Sequence, residues 1–328
     1  MTDRSKEIIV DVHITPEDLR KQLIDDVAVG MSGESKSIPP VWFYDREGSR
    51  LFAEITNLPE YYPTRAERRL LHQHCQDIVG AAPCDTLVEL GAGACEKTRV
   101  LLDAMAARGI LRSYIPFDVS DEFLRTSAEE IRTAYDGLDV HAVVGDFRRH
   151  LNRIPRRGRR MIAFLGGTIG NFRPVERQRF LFDLNCSMDH DEYFVLGSDL
   201  VKDYSRMVTA YDDASGVTAA FNKNVLRVLN RELRADFDVS AFDHVAKWND
   251  QERWIEMRLR SLQRQSVRFE VLGSEVEFLE DEELLTEISA KFTVEEVVSE
   301  LSEAGFVVDG TWGADDGEFL LTLAHPYC

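Results

Sequence analysis

Chemistry is concentrated first between Thr86 and Thr98, in the run TLVELGAGACEKT. A β-type stretch, Thr86 to Leu90, carries an acid at Glu89 and breaks on Gly91 and Gly93. It continues as a helix with apolar residues at Val100, Leu101, Leu102, Ala104 and Met105. A strand that turns on glycines into a helix brings backbone close to a ligand at the strand's carboxyl end. A dinucleotide, a flavin or S-adenosylmethionine (SAM) would each suit such a turn. The dinucleotide fingerprint wants a third glycine three residues after the second. That position is Glu96, which would also repel a pyrophosphate at the helix N-terminus. SAM has no phosphate and carries a sulfonium cation, so an acidic loop is acceptable. A second strand, Tyr114 to Val119, contains Asp118, placed to accept hydrogen bonds from ribose hydroxyls. A third, Asp139 to Val144, leads into Gly145-Asp146-Phe147.

These residues need a scaffold, and the pattern supplies one. Strands are expected at 86–90, 114–119, 139–144, 160–165 and 193–198, with helices at 95–108, 121–135 and 173–187. That alternation predicts a doubly wound, mostly parallel sheet. A helix from Pro16 to Val29, capped by Thr15, and another from Arg65 to Val79 precede it. After Asp199 the alternation stops. Helical segments at about 203–213 and 217–234 are followed by an extended region from Trp254 to Phe278 that alternates like antiparallel strands. A helix from Val294 to Ala304 and strands Phe306 to Thr311 and Phe319 to Leu323 close the chain. Asp315-Asp-Gly317 turns between those strands, so the last one reads as antiparallel. Residues 61–200 and 290–328 are assigned to the SAM-binding domain, and residues 10–60 and 201–289 to a smaller α+β substrate lobe.

Composition narrows the class. The chain has 328 residues, 44% hydrophobic, and a mean hydropathy of -0.26, as expected of a soluble globular protein. No apolar run approaches the roughly 18 residues that cross a bilayer, and the N-terminus has no apolar signal core. A net charge of -19 argues against nucleic acid or an anionic membrane as partner. Arg148 to Arg160 is a local exception, with seven arginines in thirteen residues, and reads as a solvated loop entering the next strand. Five cysteines without CxxC spacing, and eight histidines without HExxH spacing, predict free thiols in a reducing cytoplasm and no metal site.

Several segments outside the glycine loop form a set. They are Trp42-Phe-Tyr-Asp45, Leu58-Pro-Glu-Tyr-Tyr-Pro-Thr-Arg65, Phe164-Leu-Gly-Gly-Thr-Ile-Gly-Asn171, Asp199-Leu-Val-Lys-Asp203, Ala210-Tyr-Asp-Asp213, Phe221-Asn-Lys-Asn224 and Leu285-Thr-Glu-Ile-Ser289. Together with the loop, this set closely resembles the histidine-specific, SAM-dependent methyltransferases of ergothioneine biosynthesis, from about Pro39 onward. The resemblance implies a class I (Rossmann-like) methyltransferase fold with an antiparallel last strand. It implies SAM as methyl donor and three transfers to the α-amino group of L-histidine, giving hercynine. It places Gly91, Lys97, Asp118, Asp146 and Phe147 at SAM, and Tyr61, Asn171, Tyr211, Glu287 and Ser289 at histidine. Tyr44 and Phe52 match aromatics near the reacting amine, and Met257 a residue beside the imidazole. Cys95 stands where some relatives carry serine or threonine. The protein is expected to act as a monomer.

The chemistry makes sense of these residue types. Methyl transfer is an in-line displacement at the sulfonium carbon, so a neutral amine must be held about 3 Å from the methyl. Asn171 and Tyr211 are uncharged partners for the amino and carboxylate ends; a carboxylate at the amine would favour the ammonium, which has no lone pair. Glu287 can accept from a proton-bearing imidazole nitrogen, and Ser289 can serve the other nitrogen as donor or acceptor. Two apart on an extended segment, they would point to one face. Tyr44 suits orientation and proton relay rather than strict base catalysis, since an ordinary phenol has a pKa of about 10. Tyr44 and Phe52 also offer faces to a quaternary ammonium product. Trp42 and Phe43 read as packing residues. Two rival readings are the same fold acting on another amino acid or small amine, and a catalytically silent SAM-binding module. A nicotinamide-dependent oxidoreductase is disfavoured by Glu96.

Overall fold

The computed structural model describes residues 7–33, 35–93, 97–313 and 317–327. The expectations resting on Cys95, Glu96 and Asp315 lie outside them. In chain order the strands are β1 (Ile9–Val12), β2 (Thr86–Leu90), β3 (Ser113–Asp118), β4 (Asp139–Val144), β5 (Arg160–Phe164), β6 (Tyr193–Asp199), β7 (Phe242–Asn249), β8 (Trp254–Ser261), β9 (Gln265–Phe269), β10 (Ser274–Phe278), β11 (Glu283–Ala290), β12 (Phe306–Gly313) and β13 (Phe319–Pro326). The helices are α1 (Pro16–Gly30), α2 (Arg46–Ile55), α3 (Tyr62–Ala81), α4 (Thr98–Ala107), α5 (Asp121–Ala134), α6 (Phe147–His150), α7 (Pro174–Ser187), α8 (Tyr204–Thr209), α9 (Val217–Leu233) and α10 (Val294–Glu303). They divide into two compact units. The first is Met1–Ile14, Arg65–Leu200 and Phe292–Cys328, and the second is Thr15–Thr64 and Val201–Lys291.

The first unit is built on one sheet in the order β1-β4-β3-β2-β5-β6-β13-β12. Pairing is parallel from β1 through β6 and antiparallel on both sides of β13. This is the class I methyltransferase sheet with its antiparallel final strand, extended at one edge by β1. The central strands are apolar at every residue type that a doubly covered sheet demands: Leu87, Val88, Ile115, Phe117, Ile162 and Val195 are fully buried. The chain order leaves the loops after β2, β3, β4 and β5 at the carboxyl ends of the parallel strands, where ligands bind in such sheets.

Two features depart from the sequence reading. β1 falls partly within residues assigned to the substrate lobe, yet it pairs with β4, with Asp11 bonded to His141 at 2.8 Å. Four residues are too few for a periodic signal, and the partner strand decides. Arg160 is not part of a solvated loop. It opens β5 at 1% exposure and forks onto the Glu192 carboxylate, with one bond of 2.6 Å. Planar guanidinium matches carboxylate bidentately, which lets this charge be buried.

The second unit holds an antiparallel sheet in the order β11-β8-β7 and the hairpin β9–β10. α2 packs on α9, and Phe43, Phe221, Leu226, Phe242, Ile255 and Leu259 are among its buried core. Thr15 caps α1 as expected, accepting from Asp18 N at 3.1 Å while Asp18 accepts from Thr15 N at 2.9 Å. α2, β7 and β11 add to the elements read from sequence.

Candidate active site

In the first unit the expected SAM residues sit at the ends of adjacent strands. Gly91 and Gly93 both adopt positive φ, 71° and 49°, which glycine alone takes without strain. Gly91 N donates to Phe117 O at 2.8 Å, tying the β2 loop to β3. Asp118 ends β3 with one carboxylate oxygen accepting from Gly93 N (3.1 Å) and the other from Ser120 N (3.0 Å). Burial raises its pKa, and those amide donors oppose the rise. Each oxygen keeps a lone pair for a hydroxyl. Asp146 caps α6 through Arg148 N at 2.9 Å and takes both Nε and a terminal nitrogen of Arg148 at 3.2 Å. Phe147 packs its ring against Phe164, Phe172 and Phe180 at 5.3, 6.2 and 5.9 Å. Lys97 forms an ion pair with Glu67.

That pair exposes a residue the sequence reading missed. Glu67 of α3 is fully buried. Besides Lys97 it accepts from Gly166 N through both oxygens, at 2.7 and 2.9 Å. It thus ties the loop after β2 to the loop after β5. Gly197 on β6 leaves the room, since any Cβ there would collide with the Glu67 carboxylate. The signal was present: Glu67 shares a helix face with buried Leu70 and Leu71, and an acid on an apolar face needs a partner. Glu89 behaves likewise. It is buried on β2, accepts from Thr98 and from the Tyr114 hydroxyl (2.5 Å), and burial carries its pKa to about 7 against those two donors. Asn171 closes the short helical turn after β5. It is half-buried, and its side-chain amide makes no hydrogen bond among the described residues. It does not cap α7, whose N-cap is Arg173.

The second unit gathers the remaining candidates. Glu287 and Ser289 both lie on β11 and pair across to Met257 and Ile255 on β8. Directly opposed residues share a face, so Met257 stands beside Glu287. Ser289 Oγ and Tyr211 Oη are hydrogen bonded at 2.8 Å. Half-buried Glu287 makes no hydrogen bond or ion pair among the described residues. Burial lifts its carboxyl to about 7, and the Lys291 ammonium pulls the other way. An aromatic chain lies in the same unit. The rings of Tyr44 and Phe52 are 5.6 Å apart, Phe52 and Tyr61 6.3 Å, and Tyr61 and Tyr211 6.1 Å, with Phe221 5.7 Å from Tyr44.

The other motif residues hold these in place. Asp45 caps α2 through Gly48 N and accepts from Asn224, each at 2.8 Å, fixing the chain next to Tyr44. Asp213 caps α9 through Thr218 N at 2.7 Å. Burial would raise its carboxyl, but the Ser215, Thr218 and Val217 donors hold it at about 2. His244 spans the Tyr211 carbonyl (2.8 Å) and the Asn222 amide (2.8 Å), and burial lowers its pKa. Asn222 in turn accepts from Thr286 at 2.7 Å, beside Glu287. Trp42 and Phe43 are buried packing residues, with Trp42 Nε1 donating to Asp26 at 2.9 Å.

Known proteins resemble the chain over most of its length. The family described as "Histidine-specific methyltransferase, SAM-dependent" matches residues 23–326. The histidine N-alpha-methyltransferase of Mycolicibacterium smegmatis is 51% identical over 312 residues, covering 95% of this chain and 97% of that one. Its namesake from Mycobacterium tuberculosis is 52% identical over 299 residues, 91% and 93% of the two chains. The L-tryptophan methyltransferase trpM of Psilocybe serbica is 26% identical over 334 residues, 88% and 87% of the two chains.

Proposed function

The chain belongs to the histidine-specific, SAM-dependent methyltransferase family, and from that premise we propose that it moves three methyl groups from SAM to the α-amino group of L-histidine, giving hercynine on the way to ergothioneine. Gly91, Lys97, Asp118, Asp146 and Phe147 are assigned to SAM. Asp118 takes the ribose hydroxyls with its remaining lone pairs, and Phe147 offers a ring edge to the adenine. Lys97 acts in its pair with Glu67, holding the glycine loop. Asn171 and Tyr211 receive the amino and carboxylate ends of histidine, Glu287 and Ser289 its imidazole, and Met257 lies beside the ring. Tyr44, Phe52 and Tyr61 surround the reacting nitrogen. Tyr44 orients it and passes its protons to water.

The observation that carries this reading is Glu287. A half-buried carboxylate with no donor among the described residues is costly to ionise, and its pKa of about 7 expresses that cost. An imidazole N–H supplies the missing donor, whereas the indole-bearing substrate named for the Psilocybe relative offers one N–H and no second ring nitrogen for Ser289. Displacement at a sulfonium needs no metal and no covalent intermediate. The enzyme is assigned to the cytoplasm, as a monomer that engages neither nucleic acid nor membrane. Among the described residues no helix is long and apolar enough to cross a membrane.

Mass spectrometry of reactions with SAM and a panel of amino acids tests the assignment. L-Histidine is expected to gain three methyls, and tyrosine, tryptophan and ornithine essentially none. Equal turnover of a substrate without an imidazole rules it out.

A further inference from the structure

Strand β11 does not alternate regularly. Its pairing with β8 slips by one residue: Leu285 opposes Arg258, Glu287 opposes Met257, and Thr286 between them has no residue opposite. A surplus residue of this kind makes a β-bulge, which re-aims the side chains around it. The count matters because successive side chains point to opposite faces. On β8, Ile255, Met257 and Leu259 share one face and are buried, while Glu256, Arg258 and Arg260 share the other. Leu284 opposes Leu259 and so lies on the apolar face, and Glu283 and Leu285 oppose Arg260 and Arg258. Strict alternation from Leu284 would continue with Thr286 and Ile288 on the apolar face. Glu287 and Ser289 would then join Glu283, which pairs with Lys247 at 2.7 Å and lies 3.5 Å from Arg258. The slip reverses that order and sends Glu287 and Ser289 to the face of Met257 and Ile255.

The surplus residue is the one tied down. Thr286 is fully buried, and its hydroxyl hydrogen lies between Met257 O (2.8 Å) and Asn222 Oδ1 (2.7 Å). Asn222 comes from α9 and is itself fully buried. Its orientation is fixed by what its amide meets. Nδ2 is 3.0 Å from Arg258 O, and a carbonyl only accepts. The second amide hydrogen goes to His244 Nδ1 at 2.8 Å, an acceptor because Nε2 must carry the proton given to Tyr211 O. Oδ1 is thereby left to receive Thr286. The β8 carbonyls engaged here, those of Met257 and Arg258, belong to the two residues that flank the slip. α9 thus grips both strands where the ladder falls out of step. We infer that Thr286 and Asn222 are positioning residues for the ligand's ring: Asn222 holds Thr286 as the surplus residue of the bulge, and the bulge turns Glu287 and Ser289 to the Met257 face. This rests on the assignment of Glu287 and Ser289 to the imidazole.

The test is a double-mutant cycle in the full-length protein, read as kcat/KM for L-histidine at saturating SAM. Thr286→Val keeps the branched shape and loses the hydroxyl. It is expected to lower kcat/KM by about 10-fold, mostly through KM, the scale of one hydrogen bond to a charged group. SAM affinity should stay within about twofold, as for independent sites. Thr286→Ser, which keeps the hydroxyl, should retain wild-type kcat/KM. Glu287→Gln should cost about 10- to 100-fold in the wild-type chain. In Thr286→Val it should cost no more than about threefold, because the carboxylate has already left the ring. Asn171→Ala, at the amino end of the substrate, should cost the same in both backgrounds. Asn222→Leu removes the acceptor in place of the donor and should reproduce the pattern; it stands in for Thr286→Val should that variant not fold. Wild-type kcat/KM in Thr286→Val overturns the inference, as do Thr286→Val and Glu287→Gln effects that simply multiply. So does an Asn171→Ala cost that vanishes along with that of Glu287→Gln, which marks general collapse of the site. If Glu287→Gln alone leaves kcat/KM unchanged, the imidazole assignment fails and takes the inference with it.

Discussion

The carboxylates at the strand ends of the first unit and Glu287 on strand β11 of the second are treated in opposite ways. In the first, Glu67, Glu89, Asp118 and Asp146 all bond to groups of their own unit: an ammonium and an amide, two hydroxyls, two amides, a guanidinium. In the second, Glu287 has no hydrogen-bonding partner among the described residues. These four carboxylates of the first unit are partnered before any ligand arrives, and they fix loop geometry. The second leaves one hydrogen bond unmade, and a ligand that makes it recovers the cost of burying the carboxyl. Affinity for a donor shared by many enzymes calls for rigid backbone. Choice of one amino acid calls for a group that is badly off without it.

The largest break in this contrast should come from Glu67→Ala. Removing Glu67, the fully buried partner of a Lys97 side chain that is 22% exposed, strands Lys97 and the Gly166 amide at a cost of about 3 kcal/mol, the low end for a buried pair. Chemical denaturation should register that loss, and an unchanged midpoint would show that the clamp contributes little. Glu287→Gln removes a charge that has no partner to strand, so stability should hold or rise. Its effect should appear in kcat/KM for histidine, lowered about 10- to 100-fold. Asp118→Ala should do the reverse and weaken SAM first. Titrating both ligands into both variants yields a two-by-two comparison, and a Glu287→Gln variant that loses SAM affinity as badly as Asp118→Ala removes Glu287 from the histidine site.

The pH dependence sharpens the same contrast. Glu287 and Glu89 sit at about 7 in the folded chain, above an ordinary 4.5. The folded state then binds protons more tightly than the unfolded one, so their contribution to stability is fully present below about 4.5 and fades as pH rises to 7. Asp213 and Glu256, both held near 2, contribute above their unfolded pKa and lose that contribution as pH falls towards 2. Thermal melts of the free protein from pH 5 to 7.5 should show a falling Tm that histidine reduces and Glu287→Gln flattens. A Tm that climbs across that range contradicts the Glu287 and Glu89 assignments. The smallest expected effect is at Asp213→Ala, where loss of the α9 cap costs about 1 kcal/mol and moves Tyr211 little. A large loss of histidine turnover there would tie the cap to the site more directly than its hydrogen bonds indicate.

Much of this was legible in the sequence because it repeats. The glycine turn, the alternating strands of the first unit and the antiparallel ending are periodic or carry residues with restricted uses. The Glu287–Ser289 pair was legible as two residues sharing a strand face. Lys291 continues that same alternation, but it follows the motif's last residue, and only the fold shows that its ammonium meets Tyr211. Glu67 was hidden because its helix reads as amphipathic with or without it. β7 was missed because its residues are only half-buried, which weakens alternation. Arg160 was hidden in a run of arginines whose other members lie nearer the surface, and its partner Glu192 is 32 residues away.

The place of β13 has a consequence for how the protein is made. This strand is the last of the described chain, yet it lies inside the sheet, bonded to β6 on one side and β12 on the other. While it is still within the ribosome, β6 has an open edge and β12 no neighbour. Native pairing of that region is therefore a late, long-range event in synthesis rather than a vectorial one. A nascent chain stalled before Phe319 exposes two strands' worth of unpaired backbone, the kind of edge that chaperones cover and that other chains aggregate upon.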